Sequence, residues 1–156
     1  MKRIVVSIVS LLLLFSVSGA AQQLDSAKRE TLEAKLAEYF EALKYENLDV
    51  QKEEADFLIE STSDSLVRQF VACTVYDHFI DSPVMGSEAV AVHVYDRWFA
   101  PGKVKMKNGM DLFNARIFAD FNRQSLIGEK APEIVMESVD GSHVELFTGI
   151  DQLGRY

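Results

Sequence analysis

The stretch "DSLVRQFVACTVYDHFID", from Asp64 to Asp81, contains two rows of apolar side chains at helical spacing. Because the two rows together cover much of a helix circumference, we expect the most buried helix of the protein here. Ser63 is placed to cap its start, and Ser82-Pro83 ends it, since proline has no amide hydrogen to donate. The rows are Leu66, Phe70 and Cys73, and Val67, Val71, Val75 and Phe79.

Two amphipathic helices are predicted before this stretch. Asp25 or Ser26 can cap the first, and Asp49 can start the second. In the second, Val50, Phe57 and Leu58 are expected on the apolar side and residues 51–54, "QKEE", on the solvent side. The apolar face of the first helix consists of Leu32, Leu36, Phe40 and Leu43.

The next segment, residues 86–102, "GSEAVAVHVYDRWFAPG", fits two structures. Val90, Val92 and Val94 alternate as in a strand, and β-branched residues favour strands. However, Ser87 can cap a helix, and Pro101-Gly102 can stop one. We therefore predict a helix, with Ala91, Tyr95 and Trp98 on one face.

A fifth helix is predicted after the basic turn "GKVKMKNG". In residues 110–128, "MDLFNARIFADFNRQSLIG", Phe113, Ile117 and Phe121 recur every four residues. Gly128 is placed to terminate this helix. The expected fold is thus mainly α, with a bundle of about five helices.

The pattern changes after Gly128 to short strands. The runs "EIVMES" and "HVELF" have apolar residues at intervals of two and are joined by residues 139–142, "VDGS". Asp-Gly between such runs is a strong hairpin signal. Two strands alone are marginally stable in water, so this C-terminal β-hairpin is expected to lie against a sheet or a helix.

The first 21 residues are typical of a signal peptide. Lys2 and Arg3 precede an uncharged apolar run from Ile4 to Val17, which is too short for a spanning helix of about 20 residues. The small residues "SGAA" follow, and a cut after Ala20 or Ala21 fits equally well. We therefore expect an exported, periplasmic protein without a membrane anchor after cleavage.

Charge and cysteine content exclude further classes. The chain has 24 acidic against 16 basic residues, a net charge of −8, and loss of the leader removes two more positive charges. Such a chain is repelled by nucleic-acid phosphates and anionic lipids. The single cysteine cannot form an internal disulfide.

The segment "GEKAPEIVMESVDGSHVELF" resembles the opening of redoxins, thioredoxin-fold proteins related to peroxiredoxins and to periplasmic thiol-disulfide oxidoreductases. The matching positions are Gly128, Ala131-Pro132 and Asp140-Gly141. The stretches "QKEEAD", "MGSEAVAVHVYDRWF" and "NARIFADFNRQSLIG" resemble the helical domain that precedes thioredoxin domains in exported Bacteroidetes proteins. The resemblance implies three parts: a signal peptide at 1–21, a helical domain at 22–127 and the start of an incomplete thioredoxin-like domain at 128–156.

The resemblance carries no catalytic residue across. In that family, paired cysteines in a Cys-x-x-Cys motif follow the next strand, and this sequence stops before that point. We therefore predict an accessory module of a thiol-disulfide oxidoreductase, a fragment whose partner is a C-terminal thioredoxin-fold domain and whose substrates are envelope proteins. The alternative is a stand-alone secreted helical protein that binds a protein or a small ligand and has no redox role.

The residues that could form sites each have a structural interpretation, which we favour. Cys73 lies among apolar residues and is expected to fill the core. Asp77, His78 and Asp81, and likewise His93 with Asp96, have the helical spacing of metal ligands, but the chain lacks paired histidines or cysteines. Lys103, Lys105 and Lys107 are interpreted as a solvated loop, and Tyr95, Trp98 and Phe99 as core. We predict no catalytic, cofactor-binding or metal-binding residue and no cofactor.

Overall fold

The computed structural model of the protein describes residues 26–129 and 133–145. The predicted signal peptide, the Ala131-Pro132 pair and Phe147 lie outside the described residues. In the described part, five α-helices precede a short β-hairpin, and the prediction of a mainly α fold is confirmed. The elements are α1 (Ser26–Leu43), α2 (Leu48–Glu60), α3 (Ser65–Ile80), α4 (Glu88–Val94), α5 (Gly109–Asn122), β1 (Val135–Glu137) and β2 (His143–Glu145).

Helix α3 contributes seven buried residues to the core, but α4 is buried over a larger part of its length, so the prediction that α3 is the most buried helix was wrong. Asp64, not Ser63, caps α3, because its Oδ1 accepts hydrogen bonds from the amides of Leu66 (2.8 Å) and Val67 (3.0 Å). Leu66 itself is exposed, so only part of the first predicted row reaches the core. The buried residues of α3 are Val67, Val71, Ala72, Cys73, Val75, Tyr76 and Phe79.

Helices α1 and α2 each bury one face in the common core. The predicted apolar row of α1 is buried throughout. In α2 the prediction was partly wrong: Phe57 is exposed and Gln51 is buried. Burial of Gln51 is tolerated because its side-chain amide donates to the backbone carbonyl of Glu46 (2.8 Å). The cap is Asn47 and not Asp49, since the Asn47 side chain accepts from the amide of Val50.

Helix α4 confirms the helical interpretation of residues 86–102. Five of its seven residues are apolar and buried, and they lie on several sides of the helix. A helix that is buried on most sides needs apolar residues at most positions, so the alternation of Val90, Val92 and Val94 does not indicate a strand. The helix continues into a π-helical turn, Tyr95–Phe99. There the amide of Ala100 donates to the carbonyl of Tyr95, five residues back, at 2.9 Å.

Helix α5 ends at Asn122, so the prediction that Gly128 terminates it was wrong. The Asn122 side chain donates to the carbonyl of Phe118, and the Ser125 hydroxyl donates to the carbonyl of Asn122. Such local bonds compete with continuation of a helix. Gly128 lies further on, at φ +93°, a left-handed conformation that glycine adopts without strain.

The predicted hairpin is present. Strands β1 and β2 are antiparallel, with Val135 opposite Glu145 and Glu137 opposite His143. The Ser138 amide donates to the Ser142 carbonyl at 2.7 Å, and Gly141 takes a positive φ of 81° in the turn. The residues of β1 are all exposed. Within the described ranges, no helix is long and apolar enough to cross a membrane.

Candidate functional site

Helix α5 has apolar residues on two opposite faces. Ala115 and Ala119 are buried against the bundle, and both are small. The large residues that recur along the helix point away from the core, opposite to the usual arrangement of a surface helix. We call them the α5 face: Met110, Phe113, Ile117 and Phe121, which are 67%, 57%, 39% and 80% exposed.

The α5 face is large for an exposed apolar patch. If each large side chain has about 200 Å² of surface, these fractions amount to roughly 490 Å². The largest apolar patch on a typical monomer has about 300–600 Å² and is often functional, so the α5 face is of the size that proteins use for binding. Beside the face, Arg116 and Asp120 form an ion pair at 3.6 Å, so its flank has no excess of either charge.

The chain leaves the bundle close to the C-terminal end of α5. Leu126 packs against the core, and Ile127 approaches the loop that contains Gly86. A Cβ at Gly86 would lie 3.1 Å from Ile127 Cδ1 and 3.2 Å from Leu48 Cδ1, so glycine permits this contact. Ile127 thus approaches the bundle with the tip of its side chain and remains 61% exposed.

The hairpin adds exposed apolar residues after this point. Ile134, Val135 and Met136 are all exposed, although they stand on or beside a strand. A strand with a free edge is a template for pairing with further strands. The hairpin and the α5 face are thus two neighbouring regions of the chain that expose apolar groups.

A polar network joins α2 to α4 and the π-helical turn. Asp56, which is largely buried, accepts hydrogen bonds from Trp98 Nε1 at 2.7 Å and from His93 Nε2 at 2.9 Å. Arg97 Nε lies 3.0 Å from the same carboxylate and also pairs with Glu60. With three donors at one carboxylate, the network acts as a structural clamp between α2 and the segment from α4 to the π-helical turn.

Sequence reasoning missed Asp56. His93 and Asp96 share a helical spacing, but the structure does not bring them together as a pair: His93 bonds to Asp56, and Asp96 pairs with Arg123 at 2.6 Å. The residues that meet at Asp56 are 37 to 42 positions away in sequence. No local pattern could therefore have identified the network.

Cys73 is buried, as predicted. Burial raises the pKa of its thiol to about 11, and nearby Lys107 opposes this only in part. Its Sγ lies 3.8 Å from the Sδ of Met106, which is also buried. A thiol that remains protonated at neutral pH is a poor nucleophile. Cys73 therefore acts as a core residue.

Asp77, His78 and Asp81 line one cleft of about 490 Å³ between α1 and the end of α3. The His78 ring stacks on Phe40 with ring centroids 4.0 Å apart, and burial lowers the pKa of His78. Asp77 is paired with Lys107. Among residues 26–129 and 133–145, no three His, Cys, Asp or Glu side chains are grouped to hold a metal ion. The cleft has an apolar floor and polar walls.

The remaining predicted residues have structural contacts. Tyr95, Trp98 and Phe99 are buried, which confirms their assignment to the core. Lys103 lies over the Trp98 ring at 5.4 Å from its centroid, a cation–π contact. The three predicted loop lysines are exposed, because Val104 and Met106 between them point inward.

Comparison with known proteins finds no match: no family model, no curated protein and no solved structure is similar to this chain.

Proposed function

We propose that this chain is an accessory module of an exported, periplasmic thioredoxin-like thiol-disulfide oxidoreductase, in which it precedes the redox unit. The observation that carries the proposal is the hairpin. Its strands pair across an Asp140-Gly141 turn, as in the opening of redoxins, and the residues of β1 are exposed. Two three-residue strands are too few to be stable alone, so they imply a larger sheet.

The state of the thiol supports an accessory role over a catalytic one. Disulfide exchange requires a thiolate and a second thiol that resolves the mixed disulfide. Cys73 is the single cysteine in the sequence, and burial raises its pKa to about 11. The redox step therefore belongs to paired cysteines of the thioredoxin-like unit, and the helices support that unit or recruit its envelope-protein substrates.

The proposal is tested by a disulfide-reduction assay on residues 22–156. With an insulin-type disulfide substrate and a reductant, we expect no turnover above the uncatalysed rate. Cys73→Ser serves as the matched control and should give the same background. Turnover that disappears in Cys73→Ser would show that the helical unit itself is the catalyst and would contradict the accessory role.

A second function is favoured by the cleft between α1 and α3. A volume of about 490 Å³ with Phe40, Leu43 and Phe79 at its floor is within the range of small-ligand sites. In this alternative the protein is a secreted helical binding protein without a redox role. The test is an NMR titration with a periplasmic small-molecule extract. A saturable shift or broadening of the His78 resonances, which is lost in Ala37→Trp at the cleft wall, would favour the binding protein.

A further inference from the structure

The α5 face is the largest exposed set of apolar side chains on one helix in the described part of the chain. Its four members lie within one arc of the helix, and Ala115 and Ala119 lie on the opposite side. A helix that is apolar on both sides belongs in the middle of two packed layers. The bundle supplies one of those layers.

We propose that the second layer is the β-sheet unit that the hairpin joins, and that this unit docks on the α5 face in cis. The proposal rests on the proposed function, because that function provides a sheet beyond the hairpin. The surface of the sheet unit that contacts the α5 face is then apolar and has no net charge. This matches the α5 face, because Arg116 and Asp120 beside it neutralise one another.

Chain connectivity places the sheet unit within reach of α5. The Ile127 side chain approaches the loop at Gly86, and β1 begins at Val135. The residues between them span at most about 25 Å when extended. Helix α5 is itself about 20 Å long at 1.5 Å per residue. A unit that begins at Val135 is therefore tethered within about one helix length of Ile127, which follows the end of α5 by five residues.

The size of the α5 face favours a tethered partner over a second copy. Stable complexes between separate chains bury about 800 Å² per partner, and the α5 face offers roughly 490 Å² at about 200 Å² per side chain. A short tether raises the effective concentration to the millimolar range. At an effective concentration of about 1 mM, a contact with a dissociation constant of about 0.1 mM gives a ratio of docked to undocked molecules of about ten.

Hydroxyl-radical footprinting tests this docking on the native exported protein with all residues that follow Tyr156. Oxidation rates of Phe113 and Phe121 are measured there and in residues 22–156. We expect both rates to be about tenfold lower in the native protein, in line with the docked fraction. Phe57, which is exposed on α2, is the internal control and should oxidise equally in both.

A variant then separates docking from a general change in the fold. Phe121→Asp in the native protein should restore the Phe113 oxidation rate to the value for residues 22–156, because a carboxylate cannot be buried in an apolar contact. Tyr45→Asp, at another exposed site, should leave the protection of Phe113 intact. Circular dichroism of both variants confirms that the helices remain.

The outcomes distinguish this inference from the proposed function. If the native protein contains a paired-cysteine unit but Phe113 oxidises as fast as in residues 22–156, the docking is wrong and the accessory function stands. If residues 22–156 alone show protection that grows with protein concentration, a second copy covers the face and the docking in cis is overturned. If the native protein contains no such unit, both proposals fail.

Discussion

Substitution of Phe121 by alanine measures which face of α5 supports the fold. Phe121 is 80% exposed, so only about a fifth of the 1.5–3 kcal/mol for full burial applies, which is about 0.3–0.6 kcal/mol. Alanine also has the higher helix propensity, by roughly 0.5 kcal/mol, and this gain offsets the loss. We therefore expect a free energy of unfolding within about 0.5 kcal/mol of that of the unsubstituted chain.

The assay is urea denaturation of residues 22–156, followed by circular dichroism at equilibrium. Phe79→Ala is the matched control, because Phe79 is buried in α3 and its loss leaves a cavity that costs about 3–5 kcal/mol. The midpoint should shift strongly in Phe79→Ala and little in Phe121→Ala, with unchanged slopes. A loss of about 3 kcal/mol in Phe121→Ala would mean that the α5 face is core, and the docking argument would fail.

Three further predictions concern the hairpin, the clamp and the cleft. Truncation after Gly128 should change the free energy of unfolding by less than about 1 kcal/mol, since the exposed strands contribute little stability. Equal hydrogen-exchange protection of β1 and α3 in the untruncated chain would contradict this prediction. Asp56→Ala should cost about 3 kcal/mol by leaving buried donors unpaired, whereas Glu60→Ala, at an exposed pair, should cost less than about 1 kcal/mol; similar losses would refute the clamp. Burial lowers the pKa of His78 below its ordinary value of 6.5, so the unfolded chain takes up the proton first. Stability should therefore fall as pH drops below about 6.5, and His78→Gln should reduce this dependence; a dependence of undiminished size would assign it to other groups.

Helical periodicity correctly predicted buried faces of helices that pack only against the bundle core. The rows of α1 and the second row of α3 are buried as expected. In α5 the same signal located the helix but not its packed side, because periodicity shows that large apolar residues share a face and does not show what covers it. Ala115 and Ala119 contribute little to such a signal, yet they form the contact with the bundle.

Contacts between distant segments were beyond the reach of the sequence. Asp56 becomes a clamp only when α2 lies beside the π-helical turn, whose Trp98 is 42 residues further along the chain. The hairpin was predictable because Asp140-Gly141 is a local turn signal. Local signals did not fix the helix ends: Asn47 and Asp64, rather than Asp49 and Ser63, cap α2 and α3.

The most direct test of the accessory function is the intact mass and C-terminal peptide sequence of the native exported protein. We predict a polypeptide that continues past Tyr156 with an apolar strand and then two cysteines separated by two residues at the start of a helix. There the helix N-terminus favours a thiolate, which Cys73 in its buried position does not form. A native protein that ends at Tyr156, with Cys73 as its sole cysteine, would contradict the accessory function.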